Sequence, residues 1–394
     1  MNDSSVDVWN QLCDRLREAG QILSEPRAPK DASTQAYGLN YLLNLLNSGI
    51  ELTVMSVDPD HPEIGRPQDA TKKWGLDCPD ALYARTTIDG AGTYLLRGAP
   101  GTAHYVGIAV TAGSLGTATV RGLGNLAKPG DLAVADDGSF AVVFSPDHHD
   151  GNWIETPPEI LHVSIRQFLY DWENETASAL SIERVDRPTA GMSFTAEEMT
   201  RRVDALGSFM ASSARLWTDF VAGLRERCLN TFAPPNLQSS NYGGTPDNVY
   251  GSGYFELAPD EAVIVEFTPP PCHYWNLQIG SYWFESLDFI YRMGSLNGFQ
   301  ARLDDDGRFI GVIAHHDPGV WNWLDTAGNR VVPATYRWQL PRVAREEVPT
   351  PRARVVPFTA LARELPASTT TITPAQRADQ LDGRRRGALR RYGR

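Results

Sequence analysis

Hydrophobic and polar positions change their period several times along this 394-residue chain. In residues 4–23, Val8, Trp9, Leu12, Leu16 and Ala19 recur at the three- and four-residue spacing of one helical face, with Ser4 or Ser5 placed to cap it. A second helical run, "STQAYGLNYLLNLLNSG", closes on Gly49 in the position of a C′ residue. From about residue 77 to 172 the texture is different. Short β-branched and aromatic runs ("TYLLRG", "HYVGIAV", "ATVRGL", "DLAVAD", "SFAVVFS", "ILHVSIRQF") alternate with Gly, Pro and Asp, the rhythm of an antiparallel sandwich or barrel. Residues 193–230 return to helix, with Thr195 and Glu198 as a capping box. Leu206, Phe209, Met210, Leu216, Trp217, Phe220 and Leu224 form its apolar face, small Ser213 stands in line with them, and Gly207 is a candidate kink. A second β-patterned segment runs from about 244 to 342. A Pro- and Thr-rich stretch then leads to a last helix capped by Thr373, Pro374 and Gln376.

The two β segments repeat one frame. Pro79–Tyr83 aligns with Pro246–Tyr250, and His104-Tyr105 with His273-Tyr274. The triplets Asp136-Asp137-Gly138 and Asp305-Asp306-Gly307 each begin 32 residues after their histidine. Asn152-Trp153 aligns with Asn322-Trp323, and Arg166 with Arg337. Anchors in one order at near-constant gaps indicate a tandem duplication. Asp-Asp-Gly before an apolar run predicts a hairpin turn, because Asp and Gly tolerate positive φ. The Asn of each Asn-Trp pair is placed to cap a loop, and its Trp to fill the end of a sandwich core. The chain is thus expected to be mainly β: two tandem jelly-roll-like antiparallel β-sandwich domains with helical N-terminal, linker and C-terminal segments. The expected divisions are a helical segment 1–60, a first sandwich 70–190, a helical linker 193–232, a second sandwich 240–345, and an extended tail with a basic helix over 346–394.

A net charge of −12 argues against a general nucleic-acid binder. Cys13, Cys78, Cys228 and Cys272 are scattered without a CxxC pair and read as reduced thiols. The first residues lack a basic and an apolar signal region, and no apolar run approaches membrane-spanning length, so a cytoplasmic protein without a membrane partner is expected. The arginines of the last helix, seven from Arg377 to Arg394, read as a solvated face suited to the negative end of the helix dipole, with an acidic partner as the sharper alternative.

The second segment, "HYWNLQIGSYWFESLDF…NGFQARLDDDGRFIGVIAHHDPGVWNWLDTAGN…YRWQLPR", resembles the DUF1214 family, whose loop pattern DPG-x-x-NWLDT-x-G it carries. The first segment is similar to the DUF1254-type domain that often precedes it, though Asp150-Gly151 stands where the loop has Pro-Gly. The resemblance implies two jelly-roll-like sandwiches side by side in a homo-oligomer, and transfers no catalytic residues.

Candidate chemistry gathers in the second copy. By register Trp275 replaces Val106, Trp283 replaces Ser114 and Trp338 replaces Gln167. Gained indoles suggest a lined cleft, so Trp275, Trp283, Trp321 and Trp323, with Asn322, Arg337 and Tyr250, are the expected ligand-binding residues; a packed core or an interdomain seam is the competing reading of the same indoles. Asp317, Glu285, Tyr274 and His316 are the candidates for acid–base chemistry of a hydrolase or lyase, with Asp288 and Asp325 as further carboxylates and no organic cofactor. His273, His315, His316 and Asp317 form a conceivable metal set, but adjacent histidines on a strand point to opposite faces and the usual His spacing is missing, so no metal is expected. Two functions stand: an enzyme or binder of a small hydroxylated or hydrophobic molecule such as a glycan, or a non-enzymatic assembly protein whose sandwiches mediate oligomerisation.

Overall fold

The structure is a computed structural model, described for residues 5–113, 120–128, 130–188, 191, 194–235 and 248–393; Ser4, Ser114 and the Pro246-Asp247 anchor lie outside them. The first β segment supplies β1 (Ala81–Asp89), β2 (Tyr94–Gly98), β3 (Tyr105–Ala112), β4 (Arg121–Leu126), β5 (Phe140–Ser145), β6 (Trp153–Glu155), β7 (Ile160–Phe168) and β8 (Leu180–Arg184). They make two four-stranded sheets, in the orders β1-β7-β3-β4 and β6-β5-β2-β8. Past the short β9 (Thr231–Phe232), the second segment supplies β10 (Asn248–Glu256), β11 (Glu261–Phe267), β12 (Tyr274–Ile279), β13 (Ser295–Asn297), β14 (Phe309–Ala314), β15 (Trp323–Asp325), β16 (Val331–Gln339) and β17 (Arg352–Pro357). Their orders, β10-β16-β12-β13 and β15-β14-β11-β17, are the same two orders again. The mainly β, sandwich expectation holds, with one parallel pairing per copy, β5 with β6 and β14 with β15. Residues 352–357, expected as extended tail, pair with β11 as β8 pairs with β2.

The repeated motifs are repeated devices. Gly138 and Gly307 close the Asp-Asp-Gly turns at φ 84° and 75°. Asn152 Nδ2 donates to the carbonyls of Ala133 and Ala141 while its Oδ1 accepts from Ala133 N. Asn322 repeats this bracket on Arg302 and Ile310. The neighbouring indoles donate to Ser145 O and Ala314 O, both at 3.1 Å. "DLAVAD" is not a strand, because its Ala133 backbone is taken up by the Asn152 side chain instead of a neighbouring strand.

A helical layer packs beside the sandwiches: α1 (Ser5–Gly20), α2 (Ala32–Ile50) and the long α3 (Ala196–Cys228). Asp31 caps α2 and Thr195 caps α3. Three readings change here. Trp9 is 64% exposed, so the face of α1 that meets α3 is carried by Val8, Leu12 and Ala19, with half-buried Leu16 beside them. Gly49 does not end α2, which continues through Ile50 into a π turn over Glu51–Met55. Its value is close approach, since a Cβ there would stand 2.7 Å from Leu206 and 2.8 Å from Phe209. Gly207 likewise admits Arg15 of α1, whose Cγ lies 3.0 Å from where a Cβ would sit.

After the one-turn α4 (Leu361–Glu364), the last helix, α5 (Pro374–Tyr392), has the expected capping box. It is not a solvated basic face throughout. Arg377 is buried against Asp317 and the carbonyls of Val320 and Trp321, and Arg384 against Ser295 and the carbonyl of Phe289. These guanidiniums fasten α5 to the second sandwich, because Arg can satisfy several carbonyls at once. Among the described residues no helix is long and apolar enough to cross a membrane.

Candidate functional site

Alternation in the sheet β10-β16-β12-β13 puts Val249, Trp338, Trp275 and Leu277 into the core of the second sandwich. The opposite face carries polar side chains in rows across the strands. Asn248, Gln339 and Tyr274 form the first; Tyr250, Arg337, Asn276 and Asn297 the second; Ser252, Thr335, Gln278 and Ser295 the third. A polar face normally meets water, yet here Asn248, Gln339, Tyr274, Asn276, Asn297, Gln278 and Ser295 are all fully buried.

Residues 76–80 cover this face. Leu76 and Phe284, joined by a Leu76 N to Phe284 O bond of 2.6 Å, both hold positive φ, at 46° and 59°. Such conformations cost of order 1–3 kcal/mol each and persist only where surroundings over-determine them. Leu76 O accepts from Arg337 Nη2 at 2.8 Å, and Asp77 O from Gln278 Nε2 at 2.6 Å. Asp80 is the hub, accepting from Trp172 Nε1 (2.7 Å), Asn297 Nδ2 (2.8 Å), Tyr274 OH (2.5 Å) and Asn276 Nδ2 (3.2 Å). Burial, reinforced by the Asp80 carboxylate, holds the Tyr274 hydroxyl protonated far above the usual phenol range. Burial also raises the Cys78 thiol, so this cysteine is no thiolate nucleophile despite lying 3.4 Å from Tyr274 OH.

Arg337, only 5% exposed, bonds Gln278 Oε1, Asn276 Oδ1 and Leu76 O. All three are neutral, and among the described residues no carboxylate touches it. Asp80 is one amide removed, through Asn276. The first sandwich turns its equivalent face to the same seam, with Arg166 over the Tyr83 ring as Arg337 is over Tyr250. Tyr83 OH accepts from Cys78 N at 2.8 Å, which leaves its own proton to donate. Arg85, diagonal to Arg166 on this face, has no acceptor on its guanidinium among the described residues. Burial lowers Arg85 to about 10, and burial together with the Arg85 charge pushes His162 down to about 2. The seam thus brings Arg337 and the Arg166–Tyr83 pair of the first sandwich around the Tyr83 hydroxyl.

A clasp closes one end. His104 Nε2 donates to His273 O (2.8 Å), His273 Nε2 donates to His104 O (2.9 Å), and the rings stack at 4.3 Å. Each copy thus lends the other the same bond, the local signature of a pseudo-two-fold axis. The bonds require both Nε2 atoms to carry hydrogen, so this matched pair serves as a fastening and His273 is drawn away from His315 and His316. His315 instead bonds Thr326 Oγ1 at 2.6 Å, and His316 meets Phe358 edge-on. Among the described residues no three His, Cys, Asp or Glu side chains are grouped to hold a metal.

The residues expected at the site fall in several places. Trp275, Trp323 and Trp338 are packed inside the second sandwich. Trp283 is sealed beneath α2, its Nε1 donating to Thr34 O at 2.7 Å. Half-buried Trp321 lies under Arg302 and bonds Gln300 O. These indoles therefore correct the expected Trp-lined cleft: the volume gained in the second copy fills core. Asn322 is the loop bracket. Glu285 is buried with Asn44 and Ser281, Asp317 is paired with Arg377, and Tyr274 sits on Asp80, so the four residues expected for acid–base chemistry share no hydrogen-bond partner. Asp288 caps the backbone at Ile290 and Tyr291, and Asp325 pairs with Arg292. Arg337 and Tyr250 alone among the expected residues meet at the seam with Tyr274.

The amides of the seam escaped the sequence reading, although the same register reveals them. Asn248 stands where the first copy has Ala81, Asn276 where it has Gly107, Gln278 where it has Ala109, and Gln339 where it has Phe168. The second copy exchanged small or apolar groups for amides on a face that is sealed from water. Neither amide atom of Gln339, nor Oδ1 of Asn248, has a hydrogen-bond partner among the described residues. Each such orphan costs about 1–3 kcal/mol, which is difficult to reconcile with packing alone.

No curated protein matches the chain. The family described as "Protein of unknown function (DUF1214)" matches residues 81–171. The likeness therefore falls on the first sandwich, not on the second, where the loop motif suggested it. Among solved structures, a putative uncharacterized protein from Burkholderia cenocepacia is 32% identical with a TM-score of 0.85, covering 90% of this chain and 98% of that one. The VPA0106 protein from Vibrio parahaemolyticus covers 88% of this chain and 100% of its own at 10% identity, with a TM-score of 0.47. The extent and identity of the first of these matches show that the chain belongs to the same family as the Burkholderia cenocepacia protein, and that its first sandwich is the part bearing the DUF1214 match.

Proposed function

We propose that the protein binds a small hydroxylated anion, a carboxylate or phosphate, in the seam between the sandwiches. The observation that carries this reading is Arg337, a buried guanidinium whose partners are all neutral. A guanidinium matches the two oxygens of a carboxylate or phosphate with parallel N–H donors. Withdrawing it from water without an opposite charge costs several kcal/mol, and an anionic ligand offsets that cost. Tyr83 OH contributes a donor, and the unpartnered amide of Gln339 offers both a donor and an acceptor to ligand hydroxyls. The ligand surface is then the Tyr–Arg pairs, not indoles. Hydrolase or lyase chemistry finds less support, because the candidate acids and bases are dispersed.

Thermal shift and titration calorimetry with inorganic phosphate, citrate and galacturonate, and with galactose as the neutral control, test the reading. At least one acid should raise the melting temperature where galactose does not, since ligand at about 100 times its Kd stabilises by roughly 2.7 kcal/mol. Tyr83→Phe, which removes the hydroxyl that lies within reach of Arg337, should weaken that binding about tenfold or more. No response to any acid, or equal binding by the variant, refutes the proposal.

A further inference from the structure

α2 is "ASTQAYGLNYLLNLLNSGI", nineteen residues without a charge. Its inner side, Thr34, Gly38, Tyr41, Leu45 and Ser48, is buried beneath the chain's own residues. A second stripe, Ala36, Leu39, Leu43, Leu46 and Ile50, repeats the three-four-three-four spacing on the opposite side. Leu39 is 59% exposed, Leu43 67% and Ile50 38%, while Leu46 is half-buried. A helix facing water on one side has no need of two apolar stripes.

We propose that this outer stripe packs against the α2 of a second copy, antiparallel, about a two-fold axis through Leu43. The alternation of three and four residues is what one helix presents to another, because it keeps a seam aligned between two helices. The stripe is self-complementary in reverse: about Leu43, small Ala36 falls opposite the partner copy's Ile50, and Leu39 opposite the turn that holds its Leu46 and Asn47. Antiparallel pairing also opposes the helix dipoles favourably. Charge narrows the choice of partner. The chain carries −12 overall, so two copies repel across most surfaces, but α2 brings no charge to the contact, and Glu51 just beyond it is paired with Lys72. The absence of Lys or Arg from α2 disfavours an anionic lipid surface, which basic amphipathic helices seek. The stripe exposes on the order of 400 Å² of apolar surface, about half of the ~800 Å² per partner of a standard stable interface. The dimer is accordingly a weak one that dissociates within an accessible concentration range. Association runs through the helical layer, leaving both sandwiches uncovered.

Sedimentation velocity on the full chain, from about 1 to 200 μM, reads this directly, because weak interfaces of this size class dissociate in that range. Wild type should pass from monomer to dimer across the series. Leu39→Glu with Leu43→Glu should remain monomeric throughout, a loss of at least thirtyfold in association, with an unchanged melting temperature, since both side chains lie at the surface. Leu43→Cys under mild oxidation should give a disulfide-linked dimer that the native Cys13, Cys78, Cys228 and Cys272 do not give. A wild type monomeric at every concentration overturns the proposal. So does a dimer indifferent to the double substitution, or a monomer that instead binds phosphatidylcholine–phosphatidylserine vesicles through the same leucines.

Discussion

Glu285 is fully buried beneath α2, with Asn44 Nδ2 donating to Oε2 at 3.2 Å and Ser281 Oγ standing 3.4 Å from Oε1. Burial raises its carboxyl from 4.5 to about 8, outweighing the attraction of Lys73. Between those values the folded chain holds a proton that the unfolded chain has released, so stability falls as pH rises through the window and levels off above about 8. At about 1.4 kcal/mol per unit, the full fall is about 5 kcal/mol. The neighbouring Asp77, also raised by burial, adds in the same direction. Glu285→Gln removes the titrating proton while keeping the shape, since its amide can still accept from Asn44 and donate to Ser281. The variant should match wild type within about 1 kcal/mol near pH 5 and exceed it by up to about 5 kcal/mol at pH 9. For a chain of this length unfolding as one unit, that is roughly 6 °C in melting temperature. Melting curves for both proteins from pH 5 to 9 give the difference directly, and other titrating groups cancel. Parallel curves over that range would show that Glu285 is ionised in the fold and the reasoning wrong.

Other outcomes follow from particular contacts. Asp80→Asn replaces a carboxylate accepting five hydrogen bonds, one of them from the Cys78 thiol, with an amide that must point N–H at a donor, and chemical denaturation should show a loss of about 3–5 kcal/mol; a loss below 1 kcal/mol would mean that the hub is loosely held. Asn322→Ala should cost more than Asn152→Ala, roughly 2–4 against 1–2 kcal/mol, because the same bracket is buried in the second copy and half-exposed in the first; equal losses would sever burial from the strength of the device. Trp323→Ala should destabilise by about 3–5 kcal/mol and leave anion binding unchanged wherever the protein is folded. Lost binding at unchanged stability would return Trp323 to the ligand.

Much of the fold was legible because its signals are local. The turns need only Asp and Gly at positive φ, the helix caps only a Thr before the first turn, and the loop brackets only Asn before Trp. The duplication was legible because these signals recur in register. Arg337 and Tyr250 were found for the same reason, while the amides were passed over because indoles draw attention and Asn and Gln look like surface.

The sequence by itself determined two alternating faces for β12 and β16, with Trp275, Leu277 and Trp338 on one and Asn276, Gln278 and Arg337 on the other. Taken alone, that alternation describes a sheet with one side in water. Only the tertiary structure decided that residues 76–80, α5 and the first sandwich lie across the polar side, and so turned a surface into a buried seam. The reason is that strand periodicity records which residues share a face, whereas burial of that face depends on distant segments whose docking leaves no periodic trace in the strands they cover.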